Sequence, residues 1–167
     1  AGDTVYVGAG TYRETLTVDV SGSSGSPITY IGDYDGSHTD GTGGVIRITG
    51  SDNDQSASRT AGISASGKNY RTFKGFALDG CAATVNITTG TNWIIDQCFH
   101  ARNGYRGITI GGESSEITIS NNYFSGGTYR HINFEHTSFV SDANILIQNC
   151  IFDGNAGQNS SGVHIVR

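Results

Sequence analysis

The chain has 167 residues, 25 of them Gly, with 1 Pro and no Met, and its 17 Ile and 9 Val stand against 3 Leu. That balance excludes a helical protein, because β-branched residues suit pleated, half-buried strands while Leu, Ala, Glu and Lys fill helices. The net charge of −5 arises in residues 1–60, with 8 acids and 3 bases, since residues 61–167 hold 7 of each; a general nucleic-acid partner, which wants a basic surface, is disfavoured.

In chain order, apolar strands come first at residues 28–31 and 45–48. An acidic loop follows each, Asp33, Asp35 and Asp40 in the first and Asp52 and Asp54 in the second. These carboxylates either present oxygens to Ca²⁺ or act as ordinary turn residues; their spacing does not fit the EF-hand loop.

From there two series of short strands interleave. One ends at Ala65, Ile87, Ile110, Phe134 and Ile165, at spacings of 22, 23, 24 and 31 residues. The other shares the order apolar, any, Gly/Asp/Asn, any, any, large apolar, in segments opening at Phe73, Ile94, Ile119 and Ile147 and ending at Leu78, Phe99, Phe124 and Phe152. Each unit therefore predicts a strand, a variable loop, a second strand, a tight corner at Gly75, Asp96, Asn121 or Asn149, and a third strand. Gly, Asn and Asp tolerate the left-handed backbone, which gives that corner a reason to recur. A hairpin sandwich also has evenly spaced strands, but it has no reason to repeat one polar corner four times. The expectation is one all-β domain over residues 1–167, a solenoid of three strands per coil and about six coils. No amphipathic helix caps either end, and the strand series runs to the last residues, which reads as a piece of a longer chain or a unit that stacks end to end or trimerises. No run of roughly 18 apolar residues occurs, so no membrane-crossing helix is expected.

With apolar residues inward, the two-residue period sends Ser64, Asn86, Thr109, Asn133 and His164 outward in one column on the first strands. Gly107 and His131 fall in a neighbouring column, Gly111 and Glu135 in the next, and Tyr105-Arg106 and Tyr129-Arg130 just precede equivalent strands. This is the densest gathering of chemistry-bearing side chains; the plainer reading is a solvated ladder. Trp93 is expected outward on a second strand beside Thr72, Thr118 and Leu146, as a sugar platform, a partner contact or a surface covered by the insertion at residues 135–144 with its Phe139 and Val140. The amides of Asn121 and Asn149 are expected to form a hydrogen-bonded ladder inside the turn. Cys81, Cys98 and Cys150 cannot all pair and lack metal spacing, so they read as small buried hydrophobes, or as a free thiol plus one disulfide.

The opening stretch from Ala1 to Glu14, the Ser26-Pro27-Ile28-Thr29-Tyr30-Ile31-Gly32 segment and the Ile-Ser-Asn-Asn-Tyr-Phe units together resemble the right-handed parallel β-helices of the pectate-lyase-like superfamily. That superfamily spans lyases, hydrolases, epimerases, phage tailspikes and adhesins. The resemblance implies a polysaccharide lying across the first-strand sheet, in an extracellular, cell-surface or virion setting. On these positions it implies that Arg106 and Arg130 bind uronate carboxylates, that His131 or His164 serves as base, and that Glu135 acts as acid or metal ligand. Tyr105, Tyr129 and Tyr123 offer faces to sugar rings, with Asn133 and Thr109 alongside. The chain departs from the family in carrying a single carboxylate, Glu135, on that face, where the lyases hold calcium with several acids and the hydrolases use neighbouring Asp pairs. Elimination with an Arg or His base therefore fits better than hydrolysis. The competing expectation is a non-catalytic adhesin, fibre or filament subunit.

Overall fold

A computed structural model describes residues 1–101, 104–126, 129–135, 144–153 and 161–166, the last segment as backbone except at Val163. Among the described residues the strands follow as β1 (Thr4–Val7), β2 (Gly10–Tyr12), β3 (Leu16–Val18), β4 (Ile28–Gly32), β5 (Ile46–Thr49), β6 (Arg59–Ser66), β7 (Arg71–Lys74), β8 (Ala77–Asp79), β9 (Cys81–Thr88), β10 (Thr91–Asp96), β11 (Phe99–Ala101), β12 (Arg106–Gly111), β13 (Ser115–Ser120), β14 (Tyr123–Ser125), β15 (Arg130–Glu135), β16 (Ile145–Gln148), β17 (Ile151–Phe152) and β18 (Ser161–Val166). Every third strand joins the same sheet. Sheet A runs β1-β4-β7-β10-β13-β16, sheet B runs β2-β5-β8-β11-β14-β17, and sheet C runs β3-β6-β9-β12-β15-β18. All paired neighbours are parallel. The result is the expected solenoid, three sheets around one core in six turns.

The core is built from residues that recur once per coil. Ile63, Val85, Ile108 and Ile132 stack inside sheet C, and Phe73, Ile95, Ile119 and Ile147 inside sheet A. Leu78, His100, Phe124 and Phe152 stack inside sheet B, with the Phe124 and Phe152 rings 5.1 Å apart. Each fully buried Ile or Phe contributes roughly 1.5–3 kcal/mol of transfer free energy. A coil gains this only by stacking on its neighbours, which is why the pattern must repeat.

The corner between sheets A and B is left-handed in four successive coils, at Gly75 (φ 78°), Gln97 (φ 52°), Asn121 (φ 55°) and Asn149 (φ 53°). Gly75, Asn121 and Asn149 stand where expected, but in the fourth coil the corner is Gln97 and not Asp96. The register explains this: Phe73 pairs with Ile95, not with Ile94. The tandem Ile94-Ile95 satisfies an apolar template in either register, and Asp96 is the better left-handed residue by propensity. A slip of one residue exchanges the two faces of a strand, and the consequences follow together. Trp93 points inward and is fully buried, its indole N–H donating to the Lys68 carbonyl at 2.7 Å, while Ile94 is the outward residue at 42% exposure. Likewise His100 takes the inward place and Phe99 lies outside, stacked on Tyr123 at 5.5 Å.

The expected amide ladder is also displaced by one position. The exposed Asn121 amide donates outward to Asp96 at 2.8 Å. The amide inside the turn belongs to Asn122, which accepts from the Cys98 N–H at 2.8 Å and donates to the Ile95 carbonyl at 2.9 Å. Cys81 and Cys98 are buried free thiols, and burial raises them to about 11 and about 12; Cys150 is also free.

Candidate functional site

Sheet C carries the predicted cluster. The backbone register places Ser64, Asn86, Thr109, Asn133 and His164 in one column, and Arg106 beside Arg130. The side chain of His164 lies outside the described residues. Tyr105 and Tyr129, one coil apart, stack with ring centroids at 4.7 Å and planes 7° from parallel. Each carries the guanidinium that follows it in sequence, Arg106 at 4.6 Å and Arg130 at 4.1 Å from the ring centroid. Rung spacing of about 4.8 Å sets the first contact, and the quadrupole of each ring favours the second.

These side chains also bind one another. Arg130 donates to Asn133 Oδ1 and to the Tyr129 hydroxyl, both at 2.7 Å, and Arg106 pairs with Glu135 at 2.6 Å. The long side chains lie back over the sheet, so Thr109 and Asn133 face outward yet are only 6% and 0% exposed. Three buried polar atoms there, Thr109 Oγ1, Asn133 Nδ2 and Arg106 Nε, have no hydrogen-bond partner among the described residues. Such groups are costly unless something completes them.

His131 does not join this cluster. Its ring is 3% exposed and sits 5.7 Å from both Phe124 and Phe152, inside the coil. The two-residue period breaks within sheet C, where Thr84, in the middle of β9, and His131, two coils later near the start of β15, are both buried beside inward neighbours. Between them, a Cβ on Gly107 would run into the His131 backbone oxygen and come 3.2 Å from Phe124. Burial lowers His131 from its ordinary value, opposed by a hydrogen bond to the Asp153 backbone. His100, stacked on Phe124 at 4.5 Å, is pushed down to about 3 by burial. The Thr84 hydroxyl donates to the Gly107 carbonyl at 2.9 Å, so the 2.7 Å contact between Thr84 and His100 has His100 Nδ1–H as the donor. An interior imidazole out of reach of sheet C's outer face is a core residue and no base.

Tyr123 is likewise elsewhere, on the outside of sheet B, where its hydroxyl donates to Asp153 at 2.6 Å.

The acidic loops are occupied by protein partners. The 4% exposed Asp33 carboxylate accepts from the His38 N–H and the Thr39 hydroxyl, each at 2.8 Å. Burial raises its pKa, but these donors outweigh burial and hold it below the ordinary carboxylate value. Asp35 caps the Ser37 N–H at 3.0 Å. Asp52 pairs with Arg59 at 2.7 Å, and Asp54 with Arg13 at 2.6 Å and Arg47 at 2.7 Å, which hold Asp54 at about 2. Among the described residues no three His, Cys, Asp or Glu side chains converge as a metal set. Carboxylates turned toward N–H donors and arginines do not fit a Ca²⁺ cage, which needs several oxygens free to face the ion.

A groove of about 680 Å³, not expected from the sequence, runs along the outside of sheet A. Thr72, Ile94, Thr118 and Leu146 form its floor. One wall is a second left-handed column, Tyr70 (φ 56°), Asn92 (φ 59°), Glu116 (φ 54°) and Asn144 (φ 41°), each immediately before an inward residue of a sheet A strand. None is Gly, so the usual marker of such a position is missing. Of the insertion expected to cover this face, residues 135–144, residues 136–143 lie outside the described residues.

A family model described as right handed beta helix region matches residues 19–167. The chain belongs to that family, which fixes the hand of the coil. No curated protein and no solved structure matches significantly. Fold leaves activity open, so function rests on the site.

Proposed function

We propose that this right-handed β-helix is a glycan-binding module that holds acidic sugars on the outer face of sheet C without cleaving them. One observation carries the reading: the Tyr105–Tyr129 stack with a guanidinium on each ring, beside three buried polar atoms lacking partners among the described residues. Tyr105 is 45% exposed and offers apolar surface to a sugar ring. The Arg106–Glu135 pair supplies the exchange: Glu135 is a partly exposed carboxylate on a fork that suits carboxylates, and a uronate can take its place. Arg106 Nε and Asn133 Nδ2 are donors, as an anionic ligand requires.

Binding without cleavage follows from the same contacts. Both terminal nitrogens of Arg130 already donate to neutral partners, and a guanidinium loses its proton only with great difficulty. Glu135 is the one described carboxylate on that face, and glycoside hydrolysis ordinarily uses a pair. An extracellular, cell-surface or virion setting belongs to this proposal.

The test is calorimetric titration of the chain with oligogalacturonate, with absorbance of unsaturated uronate followed in parallel. Saturable binding that weakens at least tenfold in Arg130→Ala and in Tyr129→Ala, with no absorbance gained, is the expected result. No binding, binding indifferent to both substitutions, or release of unsaturated product by the wild-type chain would each overturn it.

A further inference from the structure

The groove along sheet A has a chemistry of its own. Its floor alternates hydroxyl and hydrocarbon from rung to rung, Thr72, Ile94, Thr118, Leu146, with Ile94 and Leu146 exposed at 42% and 49%. Rungs lie about 4.8 Å apart, so like residues recur every two rungs, along the axis of the coil. The wall residues sit in left-handed backbone, which L side chains rarely adopt and which re-aims a side chain as a bulge does. Their outward groups are amides, a phenol and a carboxylate, and Asn144 donates to Glu116 at 2.7 Å. Glu116 is the one charged residue lining the groove, among the described residues.

We propose that this groove binds a neutral, β-linked glycan chain running parallel to the coil axis, at a site separate from the acidic-sugar face of sheet C. In a β-1,4-linked chain each hexose advances by about one rung and is turned over relative to the last, so the chain repeats every two sugars. Each ring of such a ribbon turns an apolar C–H face to the floor, so alternate rings rest on Ile94 and Leu146, one ring advancing about one rung, while the hydroxyls at the ring edges reach the amides of the wall and the Thr72 and Thr118 hydroxyls. An α-1,4-linked chain curls away from a straight groove. A polyuronate meets Glu116 with no cation among the described residues of the lining to offset it.

Trp93, the only Trp of the chain, lies beneath the floor with its ring fully buried, so its fluorescence reports occupancy without touching the ligand. The experiment titrates the full chain with the β-1,4-linked glucose hexamer and, separately, the α-1,4-linked hexamer, read by calorimetry and Trp93 emission. The β-linked hexamer is expected to bind at least tenfold more tightly and to shift the emission. The double variant Ile94→Ser and Leu146→Ser is expected to lose at least tenfold of that affinity, whereas Arg130→Ala retains it. Both exposed positions tolerate Ser, and unchanged circular dichroism checks the fold. Absence of β-hexamer binding, equal affinity for the two hexamers, or full affinity in the double variant would each overturn the proposal. The acidic-sugar reading uses a different probe and a different residue, so either can fail alone.

Discussion

Sheets A and C are built on the same rung and fill the same core, yet their outer faces differ. On sheet C the outward positions carry Arg, Tyr, Asn and Glu, and these long or polar side chains fold back and bind one another until Thr109 and Asn133 are nearly sealed. On sheet A the outward column is Thr4, Thr29, Thr72, Ile94, Thr118 and Leu146, side chains too short to reach across, and the last four floor an open groove. The inward residues of a parallel coil are dictated by stacking, and the outward ones are free. Function can therefore differ from face to face with no change of fold.

The difference can be broken most forcefully from inside sheet A. Trp93→Ala is expected to cost about 3–5 kcal/mol, as for a buried large side chain, while Ile94→Ala next to it stays within roughly 0.5 kcal/mol, as at a surface site. Chemical denaturation of the two variants measures this, and a reversal of the two costs would restore the register that puts Trp93 outside. At the corner between sheets A and B, Asn122→Ala leaves the buried Cys98 N–H and Ile95 carbonyl unpaired and should cost roughly 1–3 kcal/mol. Asn121→Gly, at a left-handed φ, should be neutral or mildly stabilising in the same assay.

Acid should act on the sheet B and sheet C side of the core. His100 and His131 are held neutral by burial, with pKa values lowered from 6.5. The unfolded chain therefore binds more protons below pH 6.5, and stability is lost as pH falls from there toward the folded values, about 3 for His100. The slope approaches about 1.4 kcal/mol per pH unit for each histidine. His100→Phe should flatten part of it, and a stability curve unchanged by that substitution between pH 6.5 and 4 would place His100 in solvent. The smallest effect is on the outer face of sheet C. Glu135→Gln should change stability by less than about 1 kcal/mol, as for an exposed ion pair, while tightening oligogalacturonate binding by freeing Arg106.

Much of the architecture is legible in the sequence, because Ile, Val and Phe recur at coil spacing and Gly75, Asn121 and Asn149 mark one corner. The fourth coil misleads because Ile94-Ile95 fits two registers, and from that single ambiguity come the misplaced Trp93, Phe99 and Asp96. His131 misleads for another reason: the period-two rule fails within the sheet C strands, where runs of consecutive residues are buried. The Tyr-Arg cluster is legible since residues at equivalent points of successive coils must be neighbours. Its internal pairing is not, because side-chain length and reach are invisible to periodicity. The groove of sheet A depends on left-handed backbone at Tyr70, Asn92, Glu116 and Asn144; Asn92 and Asn144 are residue types that favour it, but Tyr70 and Glu116 are not, so no recurring column marks it in the sequence.

The most direct measurement of the central claim is an NMR titration with oligogalacturonate that follows the arginine Nε–Hε signals together with the Trp93 indole N–H. Binding on sheet C predicts that Arg106 and Arg130 shift in a saturable way while Trp93, on sheet A with its indole N–H bonded to the Lys68 carbonyl, stays in place. Arginine signals that do not move at saturating ligand, or a Trp93 signal that moves with them, would contradict it.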